Sequence, residues 1–148
     1  MPLDPAFVGR TFPPAEPYLV SREKIREFAD AIGAPEAAFR DVDAARAAGH
    51  PDLLAPPTFP IVVTAGANQA LRDDPALGLD FSRVVHGDQR FAYTRPVRAG
   101  DRLSSAVTIE EITARGGHEF LLTRTDVTDE SGAPVVSVWT RLVVRGES

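Results

Sequence analysis

No cysteine occurs among the 148 residues, which removes disulfide staples, thiolate nucleophiles and the soft ligands of structural zinc sites. A cysteine-free chain suits a reducing compartment, and a cytoplasmic location is expected. Basic charge is also in short supply. Sixteen Lys and Arg against 21 Asp and Glu leave a net charge of −5, whereas nucleic-acid or anionic-membrane binding needs a basic face. Neither a nucleic acid nor a membrane is expected as a partner. The N-terminal Met-Pro-Leu-Asp-Pro has no basic or apolar leader pattern, so no signal peptide is readable. The glycines form neither a Walker loop nor Gly-x-Gly-x-x-Gly, and no Gly-x-Ser-x-Gly elbow is present. The three histidines, His50, His86 and His118, lack helical metal-ligand spacing; no metal and no cofactor are expected.

What the chain does contain is organised around the stretch from Ala55 to Asp73. Thr58 is placed to cap a helix, and Pro60 stands where a missing N–H costs little. Ile61, Val62, Val63, Ala65, Ala67, Ala70 and Leu71 spread apolar surface over most of the circumference, the pattern of a buried helix. The expected helix covers residues 58–73. It is too short, and too polar at Asn68 and Gln69, to span a bilayer.

Before it, five prolines in residues 1–17 predict an irregular lead-in with an apolar anchor at Phe7-Val8. Tyr18-Leu19-Val20 reads as a short strand. Ser21 then caps a helix, with Val20 and Ile25 as its staple and Ile25, Phe28, Ala29 and Ile32 as its buried stripe, ended by Gly33. Residues 34–39 read as a loop, and residues 41–48 as a short alanine-rich helix closed by Gly49. After the central element come four strand runs over 84–94, 103–113, 120–128 and 135–144, separated by Gly/Pro turns, with Gly116-Gly117 as a hairpin. The expected fold class is α+β: one long central helix wrapped by a curved antiparallel sheet of at least five strands, whose open edge pairs with a second protomer. A chain of this length suits one domain with a sizeable core.

Candidate chemistry is sparse. His118 follows a glycine turn and suits the surface; His50, ahead of a proline, suits a structural role. His86-Gly87-Asp88 would set an imidazole and a carboxylate on one face of a regular strand, where they could do acid–base work or form an ordinary cross-strand pair. The residues alone give no catalytic constellation.

Three stretches carry a family resemblance: Ser21-Arg-Glu-Lys-Ile-Arg-Glu-Phe-Ala-Asp-Ala-Ile-Gly33, then Leu53-Leu-Ala-Pro-Pro-Thr-Phe59, then Phe91-Ala-Tyr-Thr-Arg-Pro-Val-Arg-Ala-Gly-Asp101. Together they resemble the MaoC-like, hot-dog-fold dehydratases, in particular N-terminal-type single-domain members, with residues 1–148 as one such domain. Within that family the chain looks like the non-catalytic, substrate-binding subunit of a (3R)-hydroxyacyl-ACP dehydratase. Active members carry Gly-Asp-x-Asn-Pro-(aliphatic)-His after the first helix, and their Asp and His handle the proton and the water. Here that motif falls on Gly33 to Phe39, with Ala34 at the Asp position and Phe39 at the His position. Neither moves a proton, and Pro57, near the start of the central helix, offers no N–H to polarise a thioester carbonyl.

The resemblance implies hydro-lyase kinship with no catalytic residue in this chain. It implies a substrate site at Ala34, Phe39, Pro57, Thr58 and Phe59, with Phe39 and Phe59 bordering an apolar groove for acyl-ACP or acyl-CoA. The implied partner is a homologous catalytic hot-dog subunit or a second copy. An active (R)-specific enoyl-thioester hydratase using displaced residues, and a non-enzymatic homodimeric acyl-thioester binder, stay open as alternatives.

Overall fold

Five strands, β1 (Tyr18–Leu19), β2 (Val84–Tyr93), β3 (Arg102–Arg115), β4 (His118–Thr128) and β5 (Pro134–Val144), form in the computed structural model, which describes residues 2–14 and 16–146. All pairs are antiparallel, in the order β1-β3-β4-β5-β2. Side chains alternate along β4, with Leu121, Thr123, Thr125 and Val127 buried and their neighbours half-buried, as a strand with one face in the core must. Irregularities at His86/Asp88, Ile109/Glu111 and Val127/Thr128 interrupt the register. Such bulges add local twist and bend a sheet, and this one curves round the helices. β2, ten residues long, is an edge strand with no neighbour on its outer side among the described residues.

Helix α1 (Arg22–Ala31) starts at Ser21, whose Oγ accepts from the Lys24 N–H at 3.1 Å. Val20 and Ile25 are both buried beside that cap. Gly33, at φ 69°, turns the chain out of the helix in the left-handed region that a side chain would oppose. A short 3₁₀ turn, Ala37–Phe39, interrupts the expected loop, and α2 (Val42–Ala47) follows, capped by Asp41.

The central element departs from expectation in three ways. It is two helices, α3 (Pro60–Val63) and α4 (Ala65–Asp73), with the helical pattern broken at Thr64. The β-branched run Val62-Val63-Thr64 followed by Gly66 has low helix propensity at that point. It also begins without a side-chain cap. Phe59, itself helical at φ −53° and ψ −31°, occupies the cap position. Thr58 contributes its carbonyl to the Ile61 N–H at 3.2 Å rather than its hydroxyl. Third, only one face is buried. Pro60, Val63, Thr64, Ala67 and Leu71 point inward, while Ile61, Ala65, Gly66, Gln69 and Ala70 are exposed. The exposed positions are mostly small, where exposure costs little, and two of them, Ile61 and Ala65, face an open groove rather than packed neighbours.

Two apolar clusters fill the concave side. One lies under α1 and gathers Val20, Ile25, Leu53, Phe59, Val97 and Leu103; the other joins Leu3, Phe7 and Phe12 to Leu71, Leu77, Ile109 and Leu121. The lead-in is thus anchored by Phe7, while Val8 is exposed. Phe59 sits in the first cluster at 0% exposure, edge-on to Phe28 and Tyr18 at centroid distances of 5.5 and 6.5 Å. The expectation that Phe59 borders a groove is corrected: a helical residue at the turn into α3 aims its ring at α1.

Asp52 joins α1 to the segment leading into α3. Arg22 donates to both its oxygens at 2.9 and 2.8 Å, and the Leu53 N–H donates at 2.7 Å. The Arg22 guanidinium holds the Asp52 carboxyl down at about 2, against about 3.9 for a free aspartate. A depressed carboxylate stabilises the fold above its unfolded pKa and loses that contribution as pH falls through its folded one. The stability gap between wild type and Asp52→Asn should therefore be constant near neutrality and close between about pH 4 and about pH 2, read from denaturant midpoints. Phe59→Ala should cost about 3–5 kcal/mol in the same assay, as for a fully buried ring.

Candidate functional site

The register of β2 decides which of its side chains face inward. Val84, Val85 and His86 pair with Val144, Val143 and Leu142; after a slip at Gly87, Asp88 pairs with Arg141 and Gln89 with Thr140. His86 and Gln89 therefore share the inner face, with His86 Nε2 and Gln89 Oε1 2.8 Å apart. Asp88 turns to the outer face and forms an ion pair with Arg141, its Oδ2 3.2 Å from the Arg141 Nε. The imidazole and carboxylate of His86-Gly87-Asp88 are thus on opposite faces, because the bulge inserts one residue between them. A Cβ on Gly87 would lie 3.1 Å from the Arg141 carbonyl oxygen, so the bulge is shaped around a missing side chain.

Between α3–α4 and the inner faces of β2, β4 and β5 lies an open groove of about 540 Å³. Ile61, Leu71, Phe81, Phe91 and Leu142 give it apolar walls. Its polar lining comes from His86, Gln89, Thr123 and Thr140 on the sheet and from Thr58, Thr64, Asn68 and Arg72 on the helical side. The Arg72 guanidinium stacks over Phe81, 4.3 Å from the ring centroid, and donates to Gln69. No Asp or Glu among the described residues lines the groove.

A second groove, of about 320 Å³, is formed by Phe39, Leu54, Ala55 and Pro57 facing Tyr93 to Pro96. Tyr93 and Phe91 follow one another on the inner face of β2, so the two grooves are neighbours. The Tyr93 hydroxyl donates to the Pro57 carbonyl at 2.5 Å and ties β2 to the loop between them. Burial pushes the Tyr93 hydroxyl well above its usual range, so it stays a neutral donor.

Of the five site residues read from the sequence, Phe39 and Pro57 come together in the smaller groove, and Thr58 lines the larger one. Phe59 is in the core. Ala34 lines neither groove; it packs half-buried against the core cluster, and its carbonyl accepts from Arg40 at 2.6 Å. His118 is exposed, its Nδ1 accepting from the Gly146 N–H at 3.0 Å, and His50 is half-buried outside both grooves. Gln89, Phe91, Thr140, Leu142, Phe81 and Arg72 line the larger groove without having been singled out from the sequence. Alternation along Gln89-x-Phe91-x-Tyr93 and Thr140-x-Leu142 carries that signal, but its phase relative to His86 depends on the bulge. Among the described residues no three His, Asp or Glu gather as a metal site, and no helix is long and apolar enough to cross a membrane.

A curved antiparallel sheet wrapped round a helical element, with a groove between the two, defines a hot-dog protein. The family model for the FAS1-like dehydratase domain region matches residues 6–138. A UPF0336 protein of Streptomyces coelicolor is 55% identical over 145 residues, covering 98% of this chain and 97% of that one. Among solved structures, a MaoC-like dehydratase superposes with a TM-score of 0.88 at 29% identity over 95% of this chain, which spans 43% of that longer chain. The C-terminally truncated HadBC (3R-hydroxyacyl-ACP dehydratase) complex of Mycobacterium tuberculosis gives 0.79 at 31% identity, covering 93% of this chain and 96% of that one. The chain belongs to the FAS1-like dehydratase-region family, within the MaoC-like hot-dog dehydratases and hydratases.

The bulge is open to direct test. Gly87→Ala must push the Arg141 carbonyl aside and should cost about 1–3 kcal/mol of stability. Asp88→Ala, on the outer face, should stay within about 0.5 kcal/mol of wild type. Urea denaturation of the two variants checks both.

Proposed function

We propose that this chain is the substrate-holding, non-catalytic subunit of a heteromeric (3R)-hydroxyacyl-thioester dehydratase, working as one domain over residues 1–148. One observation carries the reading: a large apolar groove beside the central helices that no carboxylate lines, in a chain whose family resemblance puts Ala34 and Phe39 at the positions of the acid–base pair. Its volume falls within the usual range of small-molecule sites, roughly 300–1,000 Å³. Each methylene of an acyl chain buried there contributes about 0.8 kcal/mol, enough to hold a long-chain acyl-ACP or acyl-CoA without any charged contact.

In this reading Ile61, Leu71, Phe91 and Leu142 hold the chain and exclude water, while a homologous hot-dog subunit supplies the proton transfers. The free edge of β2 supports such pairing, since a long unpaired edge strand is normally covered. The HadBC relative, described as a complex, supports a partner of the same fold. The location proposed is the cytoplasm.

A second reading, an active hydratase using displaced residues, is favoured by one feature: His86 lines the groove. Against it, Asp88 faces away, so the imidazole lacks its expected carboxylate. A third, a homodimeric binder of acyl thioesters, differs from the first only in its partner.

The test is steady-state hydration of (R)-specific enoyl-CoA substrates. The homogeneous chain should be no faster than buffer, because losing an acid–base group typically costs about 10²–10⁴ in rate. Co-expression with a homologue carrying the intact Gly-Asp-x-Asn-Pro-x-His motif should restore turnover. Turnover by the chain alone that disappears in His86→Ala would put the hydratase reading first. Acyl-CoA binding by a homodimer that ignores every such homologue would favour the third.

A further inference from the structure

The larger groove contains a feature that holding a plain hydrocarbon does not require. Gln89, Thr140 and Thr123 are successive cross-strand partners on the inner faces of β2, β5 and β4. They form a polar row across the wall, flanked by Phe91 and Leu142 and continued at one end by His86. Gln89 Nε2 donates to Thr140 Oγ1 at 3.0 Å, which turns its Oε1 toward His86. An amide oxygen only accepts, so with the Gln89 amide in this orientation the 2.8 Å contact requires the His86 tautomer that carries its proton on Nε2. The bonds therefore run in one direction, from His86 to Gln89 to Thr140.

Thr140 ends the row. Its hydroxyl accepts from Gln89, and its own proton has no acceptor among the described residues. The Thr123 hydroxyl is bonded to the Thr140 carbonyl, at 3.4 Å, and not to the Thr140 hydroxyl. Thr140 is only 9% exposed and lines the groove. A donor so placed is costly once a ligand expels the water over it, unless the ligand brings an acceptor. Donors linked in one direction also polarise one another, which strengthens the last of them.

We propose that Thr140, oriented by Gln89 and His86, reads an oxygen on the bound chain, so that the groove selects acyl thioesters with a carbonyl-type acceptor at one defined position over the unsubstituted hydrocarbon. This rests on the acyl-groove reading above and names its substrate class. A matched oxygen gains one polarised hydrogen bond and removes one unpaired donor, together about tenfold in affinity. An oxygen one or two carbons away gains nothing and loses its own hydration, so it binds more weakly than the plain chain.

The experiment is calorimetric titration of the chain, alone and with its homologous subunit, with dodecanoyl-CoA and with dodecanoyl-CoA bearing a single keto group moved along the chain one carbon at a time. One or two adjacent keto positions should bind about tenfold tighter than dodecanoyl-CoA, and the others more weakly. Thr140→Val, nearly isosteric but without the hydroxyl, should abolish that preference while binding dodecanoyl-CoA as well as wild type or better. Should Thr140→Val lose the native circular dichroism spectrum, Gln89→Leu replaces it and should at least halve the preference. Dodecanoyl-CoA binding with no preferred keto position, or a preference untouched by these substitutions, overturns the inference and leaves the acyl-groove reading standing. Failure of every thioester to bind removes that reading, and the inference falls with it.

Discussion

Arg95 reaches across its own turn to grip Asp101 with two N–H···O bonds, at 2.9 and 3.1 Å, while the Arg98 N–H donates to the same carboxylate at 3.0 Å. The Asp101 side chain is 9% exposed and the Arg95 side chain 23%, so the pair is largely withdrawn from water. Removing Arg95 leaves the Asp101 charge without its ion-pair partner and costs about 3 kcal/mol or more, whereas Arg95 also has Asp129, 3.5 Å away. The turn it fixes is gripped from two sides. Ala55 N–H donates to the Val97 carbonyl and Ala99 N–H to the Leu53 carbonyl, each at 2.9 Å; Gly100 and Val20 are joined by a further bond at 2.9 Å. The strand leading into α1 and the segment leading into α3 are thereby docked on the same few residues. Where the central helices begin, and hence where both grooves open, follows from this one turn.

The second constraint is the bulge at Gly87. Without it, residues two apart on β2 would share a face, and Asp88 would enter the groove beside His86 as a carboxylate–imidazole pair. With it, the groove receives a neutral amide, Gln89, and the carboxylate faces Arg141 on the outside. A carboxylate in a groove walled by Ile61, Phe91 and Leu142 would resist burial as an anion. The bulge keeps the interior uncharged on the sheet side, which suits an acyl chain and leaves His86 with a hydrogen-bond partner that cannot take its proton.

Most of the architecture was legible in the sequence because local and long-range signals agreed. Ser21 with its staple, the glycine turns and the four alternating strand runs each stood within a residue or two of their observed bounds. The central element was misread where composition outweighed direction. Ala65, Gly66 and Ala70 count as apolar or small on a helical wheel, yet small residues on the open side expose little area, so a nearly all-round apolar pattern did not mean burial. Phe59 was misplaced for a related reason. Its neighbours Pro57 and Thr58 do line grooves, but a residue in helical conformation at the head of α3 sends its ring inward. The larger groove's sheet wall was not read, since a one-residue insertion reverses the faces of everything beyond it; the isolated Gly87 within the strand run is the one local sign of such a bulge.

The grooves, the bulge and the polar row belong to one physical account. The family scaffold brings a helical element against a concave sheet, and the space between them is apolar by default. In the proposed division of labour the acid–base pair belongs to the partner, so this chain has no need to carry proton-moving groups at the positions of Ala34 and Phe39. Polar groups kept in such a wall still carry a desolvation penalty. Gln89 offsets its own by bonding to His86 and Thr140, His86 by bonding to Gln89, and Thr123 through the Thr140 carbonyl. Thr140 alone accepts a bond without giving one. An apolar residue at that position would pack equally well against a hydrocarbon chain, so the hydroxyl and the oriented amide behind it make sense as elements of discrimination rather than of affinity.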